Sequence, residues 1–388
     1  MSAFSYLFGR PLFDQADDIF FARALKLAQA ALGIAHPNPA VGAVVVKDGR
    51  IVAEGHTQVC GGMHAEKQAL SRARESVEGA TLYVTLEPCS HFGRTPPCTD
   101  AIIEAGIRRV ISGAVDPNPV VCGKGLSRLS EAGIEVILCK NPLLNKMAEE
   151  QIAPFKKWIL EKRPYVIAKV ATSKDNKIAL EGKRTKISCD ESDRVVHMLR
   201  HAIDAVMVGA NTVRVDNPQL TARLEQATRQ PARIVVSSDL NLPDDLAIFD
   251  TSIADTIIMT TASCHPRARP EDDNKRGVRV VECRMQDNRV DLRDAMSGLA
   301  KLGFTSVLAE TGREMFSTLM EQGLLDEIWW FHSPVDMGVL GLDLGYSADD
   351  LWRKSFQAYK THRLGADELT IFRFIGGRRE IPVDKYVK

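Results

Sequence analysis

The sequence predicts an α/β protein built as two successive units. Three observations carry this. β-branched, strand-like runs alternate with helix-like runs along most of the chain. The alternation is interrupted once, over residues 142–162, by a charged helical stretch broken near Pro154, and resumes after Arg163-Pro164. The 388 residues exceed what one ordinary domain needs, so two cores are expected. We place the division at 148/149, giving units 15–148 and 149–388.

In the first unit, QADDIFFARALKLAQAALG (15–33) spaces apolar residues at i, i+3 and i+4 and closes on glycine, as an amphipathic helix does. HPNPAVG is a turn. AVVVKDGRIVAEG places two β-branched runs around Asp48-Gly49, a hairpin signal. HAEKQALSRARES reads as a helix and ATLYVTLEPC as a strand. CTDAIIEAGI, RRVISGAVDP, GLSRLSEAGI and EVILCK then read as helix, strand, helix and strand. A largely parallel sheet follows from that order. In the second unit YVIAKVATS, DAVMVGA, ARIVVSS, DTIIMTT, VRVVEC, TSVLAE, EIWWFHSPV and ELTIFRFI are strand-like. Residues 266–276 read as a solvated loop and the last residues as a frayed end.

Composition narrows the function. The chain is 45% hydrophobic and 26% charged, with zero formal net charge and 6% aromatic residues. These values suit a globular protein and speak against a polyanion-binding surface, so no nucleic-acid partner is expected. No window is long enough for a membrane span, and the N-terminus lacks the pattern of a signal peptide, so a cytoplasmic location is expected. Of the eight cysteines, six read as small buried hydrophobes in a reducing compartment.

Cys89 and Cys98 differ. They bound the loop in TLEPCSHFGRTPPC (85–98), and His64-Ala65-Glu66 lies upstream at the start of a helix. One imidazole and two thiolates are a ligand set that zinc accepts while leaving a fourth position for water. A carboxylate two residues after the histidine can move a proton without binding the metal, as in zinc nucleobase deaminases. A cysteine at a helix N-terminus is also easier to ionise. A lone His-x-Glu, or two buried cysteines, would mean little. The order, the placement on elements and the Pro-Cys step together carry the reading.

The second unit has no Gly-x-Gly-x-x-Gly. Three stretches stand out: Lys169 mid-strand in AKVATSKDNKIA; VGANTVRVDNPQLTAR; and a strand running into Glu310-Thr311-Gly312 and a helix, a turn that can receive phosphate.

HPNPAVG, HAE and PCSHFGRTPPC, with eight residues between the cysteines, closely resemble the deaminase half of the bifunctional riboflavin-biosynthesis deaminase/reductase family. The resemblance runs on, in order, through the second unit. It implies a cytidine-deaminase-like three-layer domain followed by a dihydrofolate-reductase-like domain. It implies zinc on His64, Cys89 and Cys98, with Glu66 as proton shuttle. Asn38 would contact substrate. His91 and Arg94 would hold its phosphate, with a structural role for His91 equally open. The implied substrate is a phosphorylated ribosylaminopyrimidine, deaminated and then reduced by NADPH from ribosyl to ribityl. Ala171, Thr212, Asp216, Ser238 and Gly312 would face NADPH. Arg200, Leu220, Arg223 and Glu310 would face substrate, with Lys169 near the reacting sugar. Self-association is compatible with this and not specified.

The second half departs from the family pattern. Ser-Leu-Asp-Gly reads Ser173-Lys174-Asp175-Asn176, and an expected tryptophan is Lys186. Asp-Asp-Pro reads Asp216-Asn217-Pro218, and Glu-Gly-Gly reads Glu310-Thr311-Gly312, followed by Arg313. A deaminase that has lost its reductase is therefore the competing reading. A nucleic-acid-editing deaminase and a purely structural zinc module are weaker, given the neutral charge and the intact Glu66.

Overall fold

The computed structural model describes residues 16–92, 96–119, 121–183, 185–225, 227–261 and 277–376. Arg94, the expected loop at 266–276, the N-terminal stretch and the expected frayed end beyond residue 376 lie outside them.

The first unit runs through α1 (Ala16–Ala28), β1 (Gly42–Lys47), β2 (Arg50–His56), α2 (Ala65–Arg72), β3 (Thr81–Leu86), α3 (Cys98–Glu104), β4 (Arg109–Ala114), α4 (Lys124–Glu131), β5 (Glu135–Leu138), α5 (Pro142–Gln151) and α6 (Ala153–Glu161). The sheet order is β2-β1-β3-β4-β5. Its first three strands are antiparallel and its last three parallel. The hairpin turns at Asp48 and Gly49, both at positive φ, as the Asp-Gly pair predicts. Helices cover both faces, so the domain has three layers. On one face Phe21, Ala24 and Leu25 of α1 and Leu144 and Ala148 of α5 pack on Val44, Tyr83 and Ile111. On the other, Ala65, Ala69 and Ile102 pack on Ala43, Val45, Leu82 and Val84. A Cβ at Gly55 would sit 2.4 Å from the Ala65 carbonyl, so glycine lets α2 lie close on β2.

The expected division at 148/149 falls inside α5. The compact units divide between Lys162 and Arg163. The reason is burial: Leu144 and Ala148 are fully covered by the first core, and Gln151 Nε2 donates to the Leu25 carbonyl at 2.8 Å. The charged residues of the stretch made it look like a linker, but its apolar face belongs to the first domain.

The second unit holds β6 (Tyr165–Thr172), β7 (Lys177–Leu180), α7 (Asp190–Ala202), β8 (Ala205–Gly209), α8 (Ala210–Asp216), β9 (Ala232–Val236), β10 (Thr256–Thr261), β11 (Val278–Cys283), β12 (Met285–Gln286), β13 (Arg289–Val290), α9 (Leu292–Lys301), β14 (Ser306–Glu310), α10 (Arg313–Glu321), β15 (Glu327–His332), β16 (Gly341–Asp343), α11 (Ala348–Arg353), β17 (Phe356–Leu364) and β18 (Asp367–Phe374). Nine strands form one sheet in the order β11-β10-β9-β8-β14-β6-β15-β18-β17. β11 through β15 are parallel, and β18 and β17 run antiparallel at the edge. β14 is inserted between β6 and β8, so the chain direction along the sheet reverses there. In open parallel sheets ligands bind beyond the C-terminal strand ends at such a reversal.

Candidate active sites

In the first domain the sequence brings three donors to one point by three routes. His64 is the N-cap residue of α2, with extended backbone at φ −70° and ψ 161°. Cys89 is the third residue after β3, and Cys98 is the first residue of α3. His64 Nδ1 lies 3.6 Å from Cys89 Sγ and 3.4 Å from Cys98 Sγ. All three donor atoms fall within 4.8 Å of one another. A tetrahedral centre with bonds of about 2.0–2.3 Å separates such donors by roughly 3.5–3.8 Å. The donor set and its spacing therefore fit zinc.

The electrostatics agree. The Cys98 thiol hydrogen-bonds Cys89 and, with His64, pulls the Cys89 thiol below its ordinary value, while the same bond and burial push Cys98 up. Cys98 is buried and Cys89 partly so, with their sulfurs side by side. Ionising both requires a cation, which is what a metal supplies. Burial, reinforced by the Cys89 charge, raises the Glu66 carboxyl to about 7. Glu66 is in the first turn of α2 and 4% exposed. A dication beside it would favour the ionised form.

His91 is exposed on the loop and interacts through space with Asp116. Asn38 is half-buried in the turn before β1, its N–H bonded to the Ala35 carbonyl at 2.9 Å. Two residues went unnoticed in the sequence. Glu87 is buried and accepts the backbone N–H groups of Asp116 (3.0 Å), Gly123 (2.9 Å) and Gly125 (2.8 Å). Burial raises its carboxyl while those donors hold it down. Asp116, in the loop after β4, is raised to about 6 by burial, with Glu87 and Cys89 adding to it. A carboxylate closing the apolar run TLYVTL was the available signal for Glu87; Asp116 lies in a Pro/Asn turn, where carboxylates are common.

In the second domain the expected residues gather along the C-terminal ends of the parallel strands. Lys169 of β6 is paired across the sheet with Glu310 of β14. Burial lowers the Lys169 ammonium, and Glu310 opposes that. Arg200 of α7 forms a bidentate pair with Glu310, at 2.6 and 2.8 Å, and donates to the Thr221 carbonyl at 3.0 Å. Burial would raise the Glu310 carboxyl, but Arg200 and Lys169 prevail and hold it below its ordinary value. Leu220, at φ +56° and buried, opens the segment Leu220–Arg223. Such a backbone costs of the order of 1–3 kcal/mol and is kept only where its surroundings impose it. Gln230 does so in part, bonding both the N–H and the carbonyl of Ala222 at 2.7 and 3.1 Å. Lys169, Arg200, Glu310 and the Leu220 segment thus come together, while Arg223 is exposed.

Ala171 is the last residue but one of β6, Thr212 and Asp216 lie on α8 beyond β8, and Ser238 follows β9. The Ser238 hydroxyl accepts the Val290 N–H at 3.2 Å. Gly312 is the N-cap of α10, where an added Cβ would meet nothing within 4 Å. The neighbouring Thr311 hydroxyl is buried with no hydrogen-bond partner among the described residues. An orphaned hydroxyl beside a helix N-terminus fits a phosphate-bearing cofactor. The departures sit comfortably. Asn176 and Asn217 adopt positive φ, which asparagine tolerates, and Asn217 Oδ1 accepts the Ala247 N–H at 2.7 Å. Lys186 pairs with Asp190 at 2.5 Å and Asp193 at 3.1 Å on the exposed start of α7.

Comparison with known proteins agrees domain by domain. The family "Cytidine and deoxycytidylate deaminase zinc-binding region" matches residues 14–114, and "RibD C-terminal domain" matches residues 164–343. The chain is 38% identical to riboflavin biosynthesis protein RibD of Aquifex aeolicus, over 92% of this chain and 99% of that one. It is 37% identical to RibD of Escherichia coli over 83% and 89%. The crystal structure of a diaminohydroxyphosphoribosylaminopyrimidine deaminase/5-amino-6-(5-phosphoribosylamino)uracil reductase from Thermotoga maritima superposes with a TM-score of 0.80 at 37% identity, over 92% of this chain and 98% of that one. No helix among the described residues is long and apolar enough to cross a membrane. The chain belongs to the RibD family of riboflavin biosynthesis, a bifunctional enzyme with a zinc-dependent deaminase domain and an NADPH-dependent reductase domain.

Proposed function

We infer that the first domain deaminates diaminohydroxyphosphoribosylaminopyrimidine and that the second reduces the resulting 5-amino-6-(5-phosphoribosylamino)uracil, both in the cytoplasm. The observation that carries the reading is the convergence of His64, Cys89 and Cys98 with Glu66 buried in the adjoining turn. His64, Cys89 and Cys98 would hold the zinc, which would supply the Lewis acidity that lets water attack at neutral pH. Glu66 takes a proton from the attacking water and returns it to the departing amine. The bond to the exocyclic nitrogen breaks and ammonia leaves. Buried in the first turn of α2 beside the donor set, Glu66 is placed for both transfers. Asn38 orients the pyrimidine, and His91 and Arg94 hold the phosphate.

In the second domain Ala171, Thr212, Asp216, Ser238 and the turn at Gly312 would hold NADPH, which would supply the hydride. Arg200, Leu220, Arg223 and Glu310 hold the substrate. Lys169 gives a proton to the ribosylamine side as the sugar ring opens. Its lowered basicity, from burial, makes the ammonium a better acid. The test is to incubate the zinc-loaded protein with the phosphoribosylaminopyrimidine, with and without NADPH, and to identify products by mass. Deamination without NADPH and reduction only with it are expected. Deamination alone, with no NADPH oxidation, would leave the deaminase-only reading.

A further inference from the structure

We propose that Glu87 is a positioning residue of the deaminase, tying the loop that carries Cys89 to the loop after β4 that faces it. The proposal rests on the deaminase reading of this site. Glu87 continues β3 by one residue, its N–H bonding the Ala114 carbonyl at 2.9 Å. It immediately precedes Pro88-Cys89 and is 3% exposed. One carboxylate oxygen accepts the N–H groups of Asp116 and Gly123, and the other accepts that of Gly125. Asp116 and Gly123 belong to the loop between β4 and α4, and Gly125 to the first turn of α4. This stretch is drawn onto Glu87 so closely that a Cβ at Gly125 would lie 1.9 Å from the Pro88 carbonyl oxygen.

The consequence reaches the site from two sides. Glu87 lies two residues from a ligand sulfur along the chain. Through the Asp116 N–H it also fixes a carboxylate that accepts the Asn118 N–H at 2.8 Å and interacts through space with Cys89 and His91. Every partner of Glu87 donates. A carboxylate offers two accepting oxygens, whereas glutamine would aim an NH₂ at a third N–H. The residue type therefore matches the loop it holds, and that loop packs against the residue next to the ligand Cys89. Outer-shell groups of this kind hold a centre in register without touching it.

The test uses the full-length zinc enzyme and three variants, Glu87→Gln, Glu87→Asp and Gly125→Ala. Glu87→Gln keeps the volume and should keep about one zinc per chain, because the ligands are intact. Its kcat for deamination should fall about 10–100-fold, as for other outer-shell changes. Amide exchange at Gly125 should quicken, and the cobalt-substituted enzyme should show shifted absorption bands. NADPH oxidation with pre-deaminated substrate should be unchanged. Gly125→Ala, which parts the same two segments by bulk, should lose kcat in the same direction. Glu87→Asp, with its charge kept and its reach shortened, should fall between. Wild-type kcat in Glu87→Gln despite faster exchange would overturn the proposal. So would a kcat that falls only in proportion to lost zinc or to lost folded protein. If Glu87→Gln does not fold, Glu87→Asp decides by the same criteria. A wild-type protein that binds zinc without deaminating the pyrimidine would instead remove the functional reading. The exchange rates and cobalt bands of Glu87→Gln would still decide the positioning.

Discussion

The two domains place their chemistry in different ways. In the first, three donors sit on short segments whose ends are pinned: a helix N-cap, a loop leaving a strand and the first residue of another helix. A metal of fixed bond length tolerates little movement of any of them. In the second, the residues are strung along the C-terminal ends of β6, β8, β9 and β14, and they would serve an extended cofactor through many small contacts. Asn176, Lys186, Asn217, Thr311 and Arg313 are the positions at which the resemblance led us to expect other residues. The backbone absorbs two of these changes through asparagine at positive φ, and a third joins a surface ion pair. A three-donor centre rests on a few precisely placed atoms, whereas a site spread along strand ends rests on the sheet that aligns them.

The largest expected effects separate the domains by chemistry. Glu66→Gln should keep zinc and lose deamination by about 10²–10⁴-fold, the usual contribution of a general acid–base group. Reduction of pre-deaminated substrate should be untouched. Lys169→Met should do the reverse, lowering NADPH oxidation by a similar about 10²–10⁴-fold with deamination intact. Loss of both activities in either variant would show that the domains are not independent.

Next come the ligands. Cys89→Ser and Cys98→Ala should each lower zinc affinity by at least about tenfold, since an outer-shell change alone costs that much. Cys60→Ser and Cys122→Ser should leave it unchanged. Metal content after dialysis against a weak chelator measures this, and equal zinc in all four would contradict the centre.

The Arg200–Glu310 pair should be visible as stability of the second domain. Glu310→Gln should cost about 3 kcal/mol, because it leaves a largely buried guanidinium without its counter-charge. The folded carboxyl lies below its ordinary value of 4.5. The contribution is therefore full above about 4.5 and is lost as pH falls through the lower folded value. Denaturant melts of wild type and Glu310→Gln should differ most near neutrality and converge in acid. A gap that widens in acid would reverse the sign of the argument.

The smallest effect belongs to Lys186. Its ion pairs are exposed, so Lys186→Trp should change NADPH affinity by less than about fivefold. Tighter cofactor binding would mean the lost aromatic surface was simple decay. Weaker binding would mean the lysine has been recruited. Fluorescence titration distinguishes the two, with deamination as the unchanged control.

Much of this was written locally. Alternating runs fixed the order of strands and helices, because strand and helix periods are properties of neighbouring residues. Asp48-Gly49 fixed its hairpin. His64, Glu66, Cys89 and Cys98 announced a metal site, since few other chemistries call for those types in that order. The folded chain decided the rest. The division at Lys162, instead of 148/149, depended on Leu144 and Ala148 meeting a face made by α1 and β4. β17 and β7 escaped notice because edge and hairpin strands bury little and show weak alternation. The roles of Glu87 and Asp116 depend on loops from different strands meeting, and nothing in the separate stretches TLEPC and VDPNP reveals that meeting. The pairing of Lys169 with Glu310, and of Glu310 with Arg200, arises from β14 inserting between β6 and β8. Sheet order is set by the burial of whole elements against one another, so residues far apart in sequence become neighbours only when that core forms.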